Sequence, residues 1–147
     1  SEALIDINTG ENRILRADII QDCGNSLNEN IDIGQIEGGF IQGLGWLTCE
    51  ELYFSQEGKL LTTGPSTYKL PGSRDVPPIF NVKLLENADN DEKTIFRSKA
   101  VGEPPLLLAI SHFLALKEAI KASLPSSKAE FLNSPATPSE ILKAIYA

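Results

Sequence analysis

Glu103 stands in the run SKAVGEPPL, residues 98–106, between a glycine and two prolines, and the apolar residues Leu106, Leu107, Leu108, Ala109 and Ile110 follow at once. A carboxylate at that place has two uses. It can interact with the dipole and free N–H groups of a helix that starts at Pro104, which is a surface role. Alternatively, it can point into a pocket and accept a proton there as a general base. Gly102, with no side chain, lets the backbone approach a ligand closely and so favours the second use slightly.

A second cluster lies upstream. Residues 33–52 carry Ile33, Ile36, Phe40, Leu44 and Leu47 at three- and four-residue spacings, one apolar helix face. A different stripe holds Gln35, Gly38, Gln42, Gly45 and Cys49. Gly34, Gly38, Gly39, Gly43 and Gly45 all fall in this helix, where each costs up to ~1 kcal/mol against alanine. Such a helix gains something from lacking side chains: close approach either of another backbone or of a ligand. Metal chemistry from the chain's own ligands is not expected. Cys23 and Cys49 are far apart with no CxxC, and the single histidine, His112, completes no usual ligand spacing with them. Both cysteines are expected to be reduced thiols, as in a cytoplasmic protein.

The elements that must position these residues are a mixture. Residues 3–7 and 13–22, joined by the turn-rich Asn8-Thr9-Gly10-Glu11-Asn12, predict an antiparallel hairpin. Residues 52–54 and 59–62 around Gly58 predict a second, short one. Residues 79–85 alternate as a strand, residues 87–93 form a polar, acidic turn, residues 106–122 have the spacing of a buried helix, and residues 138–145 that of a short terminal helix. Strands and helices come in blocks, so the fold class expected is α+β: a mixed sheet with hairpins, packed by two main helices, in one domain covering residues 1–147. The length suffices for a core. A net charge of -7 disfavours a phosphate backbone as partner, and no apolar run nears the roughly 20 residues that span a bilayer. There is no Met, even at position 1, so the chain is expected to be a piece of something longer.

Two long stretches, in the right order, resemble a known family. RSKAVGEPPLLLAISHFLALKEAI, residues 97–120, and NIDIGQIEGGFIQGLGWLTCEELYFSQEGKLLTTGPSTYKLP, residues 30–71, are similar to the C-terminal part of the molybdenum-binding subunit of xanthine dehydrogenases. The resemblance runs from about residue 5 to the end. It implies that the chain is a C-terminal portion of a molybdopterin-binding domain. It implies Glu103 as the catalytic base and Gln35 as a contact of the molybdenum–molybdopterin cofactor. Ser98, Lys99, Val101 and Gly102 would lie against the same cofactor. The residues after the glutamate, GEPP, resemble purine hydroxylases rather than aldehyde-oxidising members, implying hypoxanthine or xanthine as substrate. FAD and 2Fe-2S centres would reside on other modules or subunits, as would the groups that orient the purine, so the isolated chain is expected to be inactive. The competing expectations are a stand-alone interaction domain that has lost catalysis, and an aldehyde-oxidising relative.

Overall fold

The computed structural model describes residues 1–88 and 90–146; Asp89, in the predicted acidic turn, and Ala147 lie outside the described residues. Strand β1 (Glu2–Ile5) and strand β2 (Asn12–Gln21) form the predicted antiparallel hairpin, with Leu4 opposite Arg13. Its turn is closed by Asp6, whose carboxylate accepts from the Asn8 and Thr9 N–H groups. Gly10 takes φ 74°, a left-handed value that suits glycine. Strand β3 (Ile79–Leu84) then pairs with β2 in parallel, Ala17 opposite Phe80 and Ile19 opposite Val82. The sheet order is β1-β2-β3. A parallel neighbour needs a crossover, and helix α1 (Glu29–Thr48) supplies it.

α1 starts four residues before the predicted position and ends four before the predicted stop. Asn28 is extended, and its side-chain oxygen accepts from the Ile31 N–H, a helix cap. At the other end the Cys49 and Glu50 N–H groups both turn back to the Gly45 carbonyl, which closes the helix. The predicted helix over residues 106–122 is two helices, α2 (Pro104–Leu108) and α3 (Ile110–Ser123), joined at Ala109. Helix α4 (Pro138–Tyr146) closes the described chain as predicted. The short second hairpin is reduced to a single bridge, Phe54 to Leu60.

Two apolar clusters hold these elements. Ile36, Phe40, Leu44 and Leu47 of α1 pack on Ile14, Ala17 and Ile19 of β2, with Phe80, Val82 and Val101 at the margin. Phe40 meets Phe80 at 5.5 Å between ring centroids in a tilted arrangement. Leu116 and Ile120 of α3 pack separately with Ile141, Ala144 and Ile145 of α4, and Phe113 touches both clusters. Burial on this scale is the main stabilising term.

A candidate cofactor-facing surface

The loop before α2 is stitched to the end of β2. The Lys99 N–H donates to the Cys23 carbonyl at 2.8 Å, and Ser98 bridges Gly24. The Ser98 carbonyl accepts from the Thr94 hydroxyl at 2.7 Å and from the Asn90 amide at 3.3 Å. Its own hydroxyl donates to the Ile95 carbonyl. Lys99 places its ammonium 2.5 Å from an Asp22 carboxylate oxygen. That contact, helped by the Gly24 N–H, holds the Asp22 carboxyl below the usual carboxylate range. Just upstream, Phe96 and Arg97 both take left-handed φ values, 51° and 58°. Such a conformation costs of order 1–3 kcal/mol in a bulky residue. It is held by Asn25, whose amide donates to the Phe96 carbonyl and whose N–H donates to that of Arg97.

α1 meets α2 backbone to backbone. A methyl group on Gly43 would run into the Leu106 carbonyl oxygen and lie 2.9 Å from the Ala109 Cβ. On Gly39 it would lie 3.2 Å from the Gly102 carbonyl oxygen and 3.1 Å from the Pro105 Cβ. One turn towards the N-terminus of α1, Gln35 reaches the same loop. Its Oε1 lies 3.3 Å from where a Gly102 Cβ would be. Gln35, distant in sequence from the adjacent pair Gly102 and Glu103, therefore shares one exposed surface with them.

Glu103 occupies the cap position of α2, but with helical φ/ψ, and its side chain makes no cap hydrogen bond. Its exposed carboxylate is not used by the helix it precedes. The remaining positions differ. Val101 turns its side chain into the α1–β2 cluster, and the polar ends of Ser98 and Lys99 are engaged within the chain. The Ser98 N–H and carbonyl and the Lys99 N–H are also bonded within the chain.

The α1 glycines divide. Gly39 and Gly43 serve the contact with α2. Gly45 faces Pro71 and the Glu50 side chain, so it does not share an open side with Gly38 as the stripe predicts. Only Gly34 and Gly38 have nothing within 4 Å of an added Cβ. A flat group can approach the Gly34–Gly38 side of α1 without meeting a side chain, and the Gln35 amide beside it can donate and accept. These residues fit one wall of a cofactor cleft.

The larger void lies elsewhere. A cavity of about 650 Å³ opens where β2, the end of α1 and residues 69–78 converge on His112. Sequence reasoning did not find it, because its walls come from five separate stretches; a lone histidine inside an apolar helix was the one available signal. Cys49 lines it as a free thiol whose pKa burial pushes up, and Cys23, also free, is buried with its pKa raised for the same reason. Among the described residues no group of three or more His, Cys, Asp or Glu side chains could hold a metal ion. Nor is any helix among them long and apolar enough to cross a membrane.

Both the sequence and the fold have known counterparts. Residues 1–77 match the family described as the molybdopterin cofactor-binding domain, and the chain belongs to that family. The chain is 53% identical over 150 residues to xanthine dehydrogenase/oxidase of Felis catus, and 54% identical over 123 residues to xanthine dehydrogenase of Dictyostelium discoideum. These matches cover 98% and 84% of the chain, but 11% and 9% of the relatives. Among solved structures it superposes on quinoline 2-oxidoreductase of Pseudomonas putida 86 with a TM-score of 0.82 at 28% identity, over 96% of this chain and 17% of that one. The chain is thus a part of the molybdopterin-binding region of the molybdenum hydroxylases and spans about a tenth of the length of the curated relatives it matches.

Proposed function

We propose that, within a full-length purine-oxidising molybdenum hydroxylase, this chain supplies the catalytic base Glu103 and one wall of the cofactor cleft. The observation that carries the reading is the shared surface of Gln35, Gly102 and Glu103, with the Glu103 carboxylate left free of any capping bond. Gln35 would hold the cofactor by its amide. Gly102 and the main chain of Ser98, Lys99 and Val101 would lie along it, and the exposed side of Gly34 and Gly38 would give it room. Molybdenum held by molybdopterin supplies a Lewis acid and an electron sink when bound.

The protein's share is geometric. The backbone contact between α1 and α2 fixes the spacing of Gln35 and Glu103, and Pro104 and Pro105 stiffen the turn that carries the carboxylate. Glu103 accepts the proton released as the purine carbon is hydroxylated. The 53% identity to xanthine dehydrogenase/oxidase of Felis catus and the GEPP sequence support hypoxanthine and xanthine as substrates. The other wall, the groups that orient the purine, and the 2Fe-2S and FAD centres that take the electrons onward would lie in the rest of the subunit or in partner subunits, in a cytoplasmic enzyme.

In the full-length enzyme Glu103→Gln should leave molybdenum content unchanged and lower turnover by at least ~10²-fold, the low end for loss of a general base. Near-normal turnover with full molybdenum loading would overturn the assignment. A stability loss of roughly 0.5–2 kcal/mol with turnover retained would identify Glu103 as a helix cap instead.

A further inference from the structure

β3 (Ile79–Leu84) is an edge of the sheet, and only one of its sides is used. The Leu85 N–H donates to the Gln21 carbonyl at 2.9 Å, and main-chain groups alternate in direction along a strand. Asn81 and Lys83 therefore turn their N–H and C=O groups to β2, in keeping with Ile19 opposite Val82 in the register. Phe80, Val82 and Leu84 turn theirs the other way, and among the described residues nothing bonds to them. The side chains of the same three residues pack on the α1–β2 cluster but stay only half-buried. Ile79 and Leu85, at the two ends, are each 47% exposed.

The opposite edge of the sheet is defended. β1 is four residues long, its ladder shifts register between Glu2 and Ala3, and α3 packs against it. Short length, a bulge and a covering helix are devices that stop an edge from pairing. None of them guards the free side of β3. This strand is six residues long with no register shift, and no proline or glycine interrupts it. Its one charge, Lys83, leaves from the face away from α1 rather than along the edge.

We propose that, in the full-length protein, the free edge of β3 is extended by a β-strand from the part of the same polypeptide outside these 147 residues. Its main chain would bond to that of Phe80, Val82 and Leu84, and its apolar side chains would continue the layer that packs on α1. The chain spans only 11% of the relative from Felis catus, so most of the polypeptide that could supply the strand lies outside it. A strand on the same polypeptide is presented at a high effective concentration. A second copy has no such advantage and brings like charge to like, the net charge of these residues being -7. The inference rests on the chain being part of a longer protein, and not on the role of Glu103.

Residue-resolved hydrogen exchange of the native full-length enzyme, read by mass spectrometry with electron-transfer fragmentation, tests it. The expected result is continuous protection: Phe80, Val82 and Leu84 exchange as slowly as Asn81 and Lys83, at least ~10²-fold below the free-peptide rate. Alternating protection, with Asn81 and Lys83 slow and the other three fast, would mark an open edge and overturn the proposal. A benzophenone amino acid in place of Lys83 then identifies the neighbour by photo-cross-linking. The adduct should keep the mass of one polypeptide on a denaturing gel and join β3 to a segment outside these residues whose own amides are protected. An adduct of higher mass, the mark of a second copy or another subunit, would overturn the proposal. So would an adduct to a segment within the 147 residues, or to one with unprotected amides. Each of these failures would leave the loss of turnover in Glu103→Gln untouched.

Discussion

On one side of α1, Gly39 and Gly43 lie against the Gly102 and Leu106 main chain and the Pro105 and Ala109 Cβ atoms; on the other, Gly34 and Gly38 face open space. Each pair is spaced four apart, so each forms a strip along one helix face. Composition makes the four residues equivalent, yet their reasons differ. The first pair is an internal joint, whose glycines are required for the fold of this chain. The second pair meets no neighbour among the described residues, and each glycine there costs helix stability. Gln35 sits at the seam between the two strips.

The sharpest test of that contrast uses the core face as a reference. Phe40 is 1% exposed and packs on Phe80, so Phe40→Ala should lower stability by ~3–5 kcal/mol in chemical denaturation, with no specific effect on molybdenum content of the folded full-length protein. Gly43→Ala should come next. The added methyl meets the Leu106 carbonyl, and forcing α1 from α2 should cost ~1–3 kcal/mol. In the full-length enzyme the same change should lower turnover, because it moves Glu103 relative to Gln35. Asn28→Ala removes the cap of α1 and should cost ~1 kcal/mol by thermal unfolding. An unchanged midpoint would show that the helix does not begin at Glu29.

Gly38→Leu should have the smallest effect on the chain and of opposite sign, a gain of up to ~1 kcal/mol from helix propensity. The same substitution should nevertheless remove molybdenum from the full-length enzyme, read by metal analysis. If Gly38→Leu destabilises the chain as much as Phe40→Ala does, the contrast between the two sides is broken and the open strip is packed after all.

Much of this was legible in the sequence because it depends on local spacing. The β1–β2 hairpin follows from two apolar runs around Asn8-Thr9-Gly10, and the core face of α1 follows from the spacing of Ile36, Phe40, Leu44 and Leu47. Ile33 of that series is only half-buried, being nearest the exposed start of the helix. The apolar spacing begins only at Ile33 and so does not reach the start, which is marked instead by Asn28, an asparagine three residues ahead of the Ile31 N–H that it caps. The break at Ala109 leaves no proline or glycine to mark it, and Leu107, Ile110 and Leu114 are exposed although their spacing predicts burial.

What sequence could not give depends on contacts between distant segments. The parallel pairing of β3 with β2 is one case, and the division of the glycines, which exists only once α2 is in place, is another. The candidate site was half legible. Glu103 and Gln35 stood out as residue types in unusual settings, but that Val101 turns inward and Lys99 pairs with Asp22 is decided by the loop at the end of β2.

The joint between α1 and α2 has a further consequence. Side chains in contact have rotamers, so a distance they set wanders as they exchange between wells. At Gly39 and Gly43 the contacts are main chain and the Cβ atoms of Pro105 and Ala109, none of which has a rotamer to exchange, so the dimension between the Gln35 and Glu103 backbones is toleranced by peptide planes and fixed Cβ atoms. Warming or altering the periphery should broaden the motion of each side chain tip while leaving the gauge between their two backbones unchanged, as in a machined part whose reference faces touch without a gasket.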